Sequence, residues 1–313
     1  MNDSDSPLVR LMADDLAVAP PAGLEPLLDA IEMRCGQALR GIVLYGSCRR
    51  NADLGNGLVD LMAVVDSYRA VHGTGPTALF NAMLPPNVYY LEAGPASARL
   101  RCKYIIVSEA SLARRTAGGL DAYFWARFTQ PCRLVRSSGA ETARRIAACR
   151  AAAARTFARE GLPLGNETLT ARDFWIRSIR ATYGCELRPE PPGAAEALID
   201  RDPEFWGAVS ARTLPALSGV DGLDDGRVRI GLGRFERARG RARWMLRKAW
   251  GRTCNVLRLL KAAGTFSNGI DYLVWKIERH SGVRIEPTER MRRHPRLAGL
   301  ALLFRLWRTG ALR

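Results

Sequence analysis

The stretch that decides the fold reads Leu44-Tyr45-Gly46-Ser47-Cys48-Arg49-Arg50, and it is followed by Val59-Asp60-Leu61-Met62-Ala63-Val64-Val65-Asp66. Residues 41–45, which directly precede Gly46, are apolar and include the β-branched Ile42 and Val43, which predicts a short buried strand. Gly46 then permits a tight turn and a close approach of the backbone to another group. The second apolar run predicts another strand, which carries the carboxylate of Asp60 near its start.

A strand, a Gly-Ser turn and an acid-bearing strand are together typical of the nucleotidyltransferase fold. In that fold, backbone N–H groups and the serine hold a triphosphate, and strand carboxylates hold Mg²⁺. The pattern here is incomplete, because Met62 stands where a second acid on the same face is expected. Asp66 has the right parity, but six residues of strand span roughly 20 Å. The alternative interpretation is a common turn followed by an exposed aspartate at a strand end.

Composition excludes several classes of protein. The chain has 313 residues, which is enough for two domains or for one domain with an extension. Its seven cysteines contain no C-x-x-C pair, which argues for a reducing compartment and against disulfides or zinc. The three histidines have no ligand spacing, and no apolar run is long enough to span a membrane. The acidic first residues do not resemble a signal or transit peptide, so we predict a cytoplasmic protein.

Charge is placed unevenly along the chain. The net charge is +16, and residues 227–313 contain 22 Lys and Arg against 5 Asp and Glu, so the rest of the chain is near neutral. A basic segment of this kind predicts a polyanionic partner, either an anionic membrane surface or, less favoured, nucleic acid. Residues 295–313 could form a helix with an apolar face edged by arginines, suited to the cytoplasmic face of a membrane. The alternatives are a general arginine bias and a terminal helix that packs on the body.

The fold class that we predict is α+β: a small nucleotidyltransferase-type mixed sheet with flanking helices, followed by a mostly helical C-terminal part. We divide the chain into a poorly ordered N-terminus (1–23), a nucleotidyltransferase domain (24–138), a helical domain (139–225) and a basic helical region (226–313). The last region includes the candidate membrane-surface helix at 295–313. Helices are also predicted over 234–261 and 270–279.

Several further stretches occur in a definite order along the chain. They are Tyr45-Gly46-Ser47, the strand that opens on Asp60, Pro86-Asn87-Val88-Tyr89-Tyr90, Cys102-Lys103-Tyr104-Ile105-Ile106-Val107-Ser108, Tyr123-Phe124-Trp125-Ala126-Arg127-Phe128-Thr129-Gln130-Pro131 and Thr182-Tyr183-Gly184-Cys185-Glu186-Leu187-Arg188. Together they resemble the mitochondrial-type phosphatidate cytidylyltransferases, which are soluble CDP-diacylglycerol synthases. The resemblance covers residues 40–190 and extends only loosely beyond them. Cys48 replaces a family glycine and residues 67–76 are shortened, which indicates a diverged, bacterial-type member.

The resemblance implies that CTP and phosphatidate give CDP-diacylglycerol and pyrophosphate with Mg²⁺ as cofactor. It also implies roles for individual residues: nucleotide binding by Tyr45, Gly46, Ser47 and, less strongly, Arg188; a metal site at Asp60, with Asp66 or Glu109 approaching from elsewhere; and catalytic work by Asp60, Lys103 and Arg127. The structural alternatives are that Lys103 is a solvated edge residue and that Arg127 caps its own helix.

Two other functions remain open. The chain could be a nucleotidyltransferase that acts on another acceptor, such as a small molecule or an RNA end. It could also be an inactive nucleotidyltransferase fold that binds nucleic acid. The two classes differ in whether any product forms and in whether Asp60 is required.

Overall fold

The structure is a computed structural model that describes residues 6–50, 54, 57–95, 98–165, 167–186, 191–222 and 227–263, with isolated positions at 286, 288, 289, 291 and 301. Side chains at 76, 77 and 259–263 are not described. Arg188, the predicted helix at 270–279 and, apart from position 301, the predicted membrane-surface helix at 295–313 lie outside the described residues.

Helices and strands alternate through the first half of the described chain, and helices dominate the second half. The helices are α1 (Pro7–Ala17), α2 (Glu25–Cys35), α3 (Tyr68–His72), α4 (Pro76–Met83), α5 (Glu109–Thr116), α6 (Tyr123–Phe128), α7 (Ala140–Gly161), α8 (Ala171–Tyr183), α9 (Ala194–Asp200), α10 (Pro203–Thr213) and α11 (Arg234–Ala263). The strands are β1 (Leu39–Tyr45), β2 (Val59–Val65), β3 (Asn87–Ala93), β4 (Leu100–Ser108), β5 (Arg133–Ser137), β6 (Thr168–Thr170), β7 (Val220–Gly222) and β8 (Arg227–Ile230).

The main sheet has five strands in the order β3-β4-β2-β1-β5. β2 and β4 run parallel, and the other neighbouring pairs are antiparallel. A parallel pair needs a crossover connection, and α3, α4 and β3 supply it here. The predicted α+β class, with a mixed sheet, flanking helices and a mainly helical second part, is confirmed.

Both faces of the main sheet are covered, which explains why its central strands read as continuous apolar runs. Side chains alternate between two cores. Val43 and Met62 face a large core built with α1, α6, α7 and α8, whereas Leu44 and Leu61 face a smaller core built with α2. The large core also includes Trp244 of α11, so the sheet and the later helices share apolar packing. The domain boundaries that we drew from the sequence stay predictions.

The N-terminus corrects one expectation. We predicted poor order over residues 1–23, but Pro7–Ala17 forms α1, with Ser6 as its N-cap and Pro7 in its first turn. Its apolar side chains at positions 8, 9, 12 and 16 fall on one face and are buried in the large core. Asp15 lies 2.6 Å from Arg133 and 2.7 Å from Arg150, which ties the helix to β5 and α7.

The second part is not purely helical. β6, β8 and β7 form a three-stranded antiparallel sheet, with α8, α9 and α10 inserted between its first and second strands in the chain. β7 begins at Val220, within a stretch of the sequence that is rich in Gly and Asp. Strands of three or four residues are too short to show an alternating pattern, which is why the sequence does not reveal them.

Candidate active site

Three predicted site residues lie side by side on neighbouring strands. Asp60 on β2 is paired with Tyr45 on β1 and with Lys103 on β4. Residues of the same parity on these strands, such as Met62 and Ile105, face the large core. Tyr45, Asp60 and Lys103 therefore stand in a row on the face of the sheet that α6 and α7 cover.

Gly46 brings the chain close to the carboxylate of Asp60. Its backbone has φ +80°, a conformation that glycine adopts readily and other residues avoid. A Cβ atom built at Gly46 would lie 2.9 Å from Oδ2 of Asp60. The sequence predicted a close approach at this glycine, and Asp60 is the group that it approaches. Ser47 follows, exposed at the start of a single 3-10 turn (Ser47–Arg49).

Lys103 and Asp60 form an ion pair with 3.4 Å between Nζ and Oδ1. Both side chains remain about a quarter exposed, at 27% and 25%. The site therefore joins one cation and one anion at the edge of a buried sheet face. Lys103 is not a solvated residue of an edge strand, which was the structural alternative, because β4 lies in the interior of the sheet.

Arg127 enters the site from the last turn of α6. Its Nη2 lies 3.1 Å from Oε1 of Glu186, and its guanidinium carbon lies 4.6 Å from the ring centre of Tyr123 and 5.9 Å from that of Tyr45. Burial lowers the pKa of the Arg127 guanidinium, but Tyr123 and Glu186 outweigh burial and raise that pKa above its ordinary value. Tyr45 and Asp60 act in the same direction. Arg127 is therefore a fixed cation beside the row of strand residues.

The phenol of Tyr45 is neutral at ordinary pH. Burial is the main reason that the pKa of Tyr45 lies well above its usual value, and the neighbouring Tyr123 and Asp60 raise it further. The ring packs edge-on against Phe128, with 5.9 Å between ring centres. Tyr45 thus forms an apolar wall of the site.

A small, partly open pocket lies beside Arg127, between α6, the end of α8 and α11. It is lined by Asp121, Ala122, Tyr123, Ala126, Arg127, Gln130, Thr182, Tyr183, Cys185, Glu186, Gly251, Asn255 and Arg258. Arg258 is buried and donates to the carbonyl of Pro85 and to Asp121, which fixes α11 over the loop after α4. The pocket is thus mixed in charge and adjoins the strand row through Arg127.

Asp66 is not brought to this site. It follows the far end of β2, where its N–H donates to the carbonyl of Ala38 and its carboxylate lies 3.5 Å from Arg40. Along a strand, six residues separate Asp66 from Asp60 by roughly 20 Å. Glu109 follows the parallel β4 at the same far end. The geometry therefore contradicts Asp66 as a metal ligand beside Asp60, and Glu109 does not supply the second carboxylate either.

The site fits a metal ion only with help from a substrate. Met62, at the position of the second acid, is fully buried in the core. Over the described part of the chain, no cluster of three or more His, Cys, Asp and Glu side chains is placed to hold a metal. Among the described residues of the strand row, Asp60 is the one with a carboxylate, so phosphate oxygens and water would have to complete the shell of a Mg²⁺ ion. Such a shell is chemically ordinary for Mg²⁺.

Sequence reasoning missed the contacts that fix the Gly-Ser turn. Arg49 is buried and forms an ion pair with Asp202, and Arg50 lies 2.9 Å from the same carboxylate. Asp202 precedes α10, so the turn is anchored to the helical part. Cys48 packs beneath the turn and its thiol donates to the carbonyl of Leu58 at 3.3 Å. The Arg49-Arg50 pair was visible in the sequence, but its partner stands about 150 residues away.

Comparisons with known proteins add little to this geometry. No protein-family model matches the chain, and no curated protein matches it. A solved structure of a nucleotidyltransferase-like protein from Exiguobacterium sibiricum is 12% identical, and the alignment covers 91% of this chain and 90% of that one. Its TM-score is 0.27, which is too low to carry an argument about fold or activity.

Replacing Gly46 with alanine tests whether triphosphate binding requires the close approach of the Gly46 backbone to Asp60. Gly73 is a matched control, because its backbone is nearly the same (φ +69°, ψ −165° against φ +80°, ψ −162°), but a Cβ there would meet nothing within 4 Å. We expect both variants to lose about 1–3 kcal/mol of stability from backbone strain. Only Gly46→Ala should also lose triphosphate binding, measured by titration calorimetry. Equal binding by the two variants would contradict a role for the Gly46–Asp60 approach.

Proposed function

We propose that this protein is a nucleotidyltransferase whose nucleotide site lies at the Gly46 turn. The observation that carries the proposal is the meeting of the Gly46 backbone, Asp60 and Lys103 at one place on three adjacent strands. A glycine turn leaves backbone N–H groups accessible to phosphate oxygens, and nearby cations add attraction. Ser47, exposed on the same turn, supplies a hydroxyl.

The remaining residues fit the demands of phosphoryl chemistry. An acceptor oxygen attacks the α-phosphorus, and the bond from that phosphorus to the leaving pyrophosphate breaks. Such a reaction needs positioning and charge neutralisation more than covalent help from the protein. Lys103 and Arg127 would bind phosphate oxygens, and the planar guanidinium of Arg127 would donate two hydrogen bonds in a bidentate arrangement. When bound, Mg²⁺ neutralises phosphate charge, and Asp60 is the residue that would hold it.

The finer proposal is that the nucleotide is CTP and the acceptor is phosphatidate, so that the products are CDP-diacylglycerol and pyrophosphate. It is supported by the ordered set of motifs between residues 40 and 190 and by the basic C-terminal third. The pocket between α6, α8 and α11 would receive the acceptor, with Arg127 and Arg258 near its phosphate. A lipid acceptor also implies that the protein works on the cytoplasmic face of a membrane, although no described helix is long and apolar enough to span one.

The test supplies the purified chain with each of the four labelled nucleoside triphosphates, Mg²⁺ and vesicles that contain phosphatidate. We expect the label of CTP, and of no other nucleotide, to be recovered in the lipid extract of the reaction. Parallel reactions replace the vesicles with an RNA oligonucleotide or with small hydroxyl acceptors. Transfer to one of those acceptors would retain the nucleotidyltransferase proposal and refute phosphatidate.

A second candidate function is binding without catalysis, to a nucleotide or to nucleic acid. One observation favours it: the carboxylate of Asp60 is paired with Lys103, while Met62 fills the place of a second metal ligand. Such a protein would bind CTP or RNA equally well with and without Mg²⁺ and would form no product with any acceptor. The transfer reactions above, repeated with a chelator, separate the two functions.

A further inference from the structure

Helix α11 has an inner face that is fixed to the body of the protein. The indole of Trp244 donates to the carbonyl of Glu160 at 2.7 Å, and Arg247 lies 2.7 Å from the carboxylate of the same residue. A Cβ at Gly251 would lie 2.6 Å from the carbonyl oxygen of Cys185, so the helix packs closely there. Buried positions recur every three or four residues along this face, as expected for a docked helix.

The outer face of α11 is also apolar. Phe235 is 80% exposed, Met245 is 69% exposed and Leu246 is 60% exposed. Exposed alanines continue the same row at spacings of three and four residues, and an exposed valine follows two helical turns further on. We define the outer stripe as Phe235, Ala238, Ala242, Met245, Leu246, Ala249 and Val256. A surface helix ordinarily turns charged residues outward, so a second apolar face indicates a second partner.

Basic side chains border the outer stripe on both sides. By helical position, Arg241, Lys248 and Arg252 lie along one margin, and Arg239 and Arg243 lie along the other. Between positions 234 and 258 the sequence has nine Lys and Arg and a single acidic residue, Glu236. An apolar centre with cationic margins is the pattern of a helix that lies flat in a membrane interface.

Further apolar side chains are exposed on α4, close to the end of α11. Leu79, Phe80 and Met83 are all more than half exposed. Arg258 of α11 donates to the carbonyl of Pro85, two residues beyond the end of α4, so α11 contacts the loop that follows α4. Exposed apolar surface is therefore present on α11 and also on α4, whose following loop is contacted by α11.

We propose that the outer stripe of α11 docks on the surface of an anionic lipid bilayer. Phe235, Met245 and Leu246 would enter the boundary between headgroups and acyl chains, while the marginal Arg and Lys side chains contact anionic headgroups. This site differs from residues 295–313, where the sequence predicted membrane contact. The proposal stands without the proposed activity, because it needs neither a nucleotide nor a lipid acceptor.

The charge pattern decides between a bilayer and other occupants. A second copy of the chain would bring two sets of basic margins together, and like charges placed opposite each other oppose association. Nucleic acid is held by cations on phosphates, whereas here the centre of the face is apolar and the cations stand at its edges. A bilayer offers apolar depth beneath a layer of negative charge, which matches both the centre and the margins of this face.

Docking on this face would also orient the pocket. Asn255 and Arg258, on the inner face of the same helix, line the pocket, so a bilayer under the outer stripe would lie one helix diameter from it. If the acceptor is phosphatidate, as proposed above, α11 would then hold the pocket next to its source. That consequence rests on the proposed function, whereas the docking itself does not.

The test is sedimentation of the full chain with vesicles, in the absence of nucleotide and phosphatidate. Vesicles of phosphatidylcholine alone are compared with vesicles that also contain phosphatidylglycerol. We expect binding to the anionic vesicles only, weakened by added salt. Met245→Glu with Leu246→Glu should reduce the partition coefficient by about tenfold or more, because two apolar contacts are lost and two repelled charges are added. Met33→Glu, on α2 and 84% exposed, is the matched control and should bind like wild type.

Each other outcome overturns the proposal. Absence of vesicle binding by the wild type, or equal binding by the double variant and Met33→Glu, would show that the stripe does not dock on lipid. If the wild type were a dimer and the double variant a monomer, the face would be assigned to contact with a second copy of the chain. An RNA oligonucleotide that binds the wild type and not the double variant, without vesicle binding, would assign it to nucleic acid. The triple variant Arg241→Gln, Lys248→Gln and Arg252→Gln keeps the stripe and should lose the preference for anionic vesicles.

Discussion

Asp60→Asn is expected to abolish nucleotidyl transfer while leaving the fold intact. The substitution keeps the size of the side chain but removes the accessible carboxylate that faces the Gly46 turn. Loss of a single preorganised electrostatic group commonly costs about 100-fold or more in rate. Triphosphate binding in the presence of Mg²⁺ should weaken as well, because Asp60 is the proposed protein ligand of that ion. Initial rates with saturating CTP and acceptor, together with a thermal unfolding curve, provide the measurement.

Asp66→Asn is the matched control for Asp60→Asn. Asp66 follows the same strand, but it lies at the opposite end and pairs with Arg40, which is partly exposed. Removing an exposed ion pair changes stability by less than about 1 kcal/mol. We therefore expect wild-type transfer and nearly wild-type unfolding. If Asp60→Asn kept full activity, or if both variants lost it equally, the site at the Gly46 turn would be refuted.

The sheet was predictable where local sequence is strongly apolar. β1, β2 and β4 are interior strands, buried on both faces, and continuous β-branched runs of that kind leave a clear signal. α7 was predictable for a different reason, since its alanines and arginines favour a helix intrinsically. The signal of α1 was also present, as Ser6 and Pro7 before an amphipathic run, although we interpreted the segment as poorly ordered.

The candidate site was only partly predictable, because its residues meet through pairing between distant segments. The apolar run that opens on Asp60 and the glycine turn were visible together in one stretch. The position of Lys103 beside Asp60 depends on the register of two parallel strands, with α3, α4 and β3 between them. Sequence spacing does not set that register.

Charged residues that anchor the fold were harder still to predict. The ion pairs of Arg49 with Asp202 and of Arg127 with Glu186 each join segments that are far apart in the chain. An isolated arginine in a sequence gives no sign of whether it is solvated or paired, because both states use the same residue type. Glu186 lies in one of the stretches that resemble the cytidylyltransferase family. The residues around it, however, do not indicate that its carboxylate pairs with Arg127.

Arg150→Met is expected to cause the largest loss of stability. Arg150 is 1% exposed and donates to the carbonyls of Met12, Phe128 and Gln130, while its Nη2 lies 2.7 Å from Asp15. Methionine fills much of the space but removes the charged donors to these three carbonyls and to the carboxylate of Asp15. Breaking a buried pair by removing one partner typically costs about 3–5 kcal/mol. Equilibrium unfolding in urea should show a loss of this size.

Arg145→Met provides the comparison on the same helix. Arg145 is exposed and pairs with Glu141 and Glu109 at 3.1 and 3.6 Å, so its replacement should change stability by about 0.5 kcal/mol or less. Equal losses in the two variants would contradict the importance of the buried contacts. Arg150 also donates to the carbonyl of Phe128, the last residue of α6, and to that of Gln130 just beyond it, and α6 is the helix that carries Arg127. We therefore expect Arg150→Met, at temperatures where it remains folded, to bind a triphosphate more weakly than Arg145→Met does.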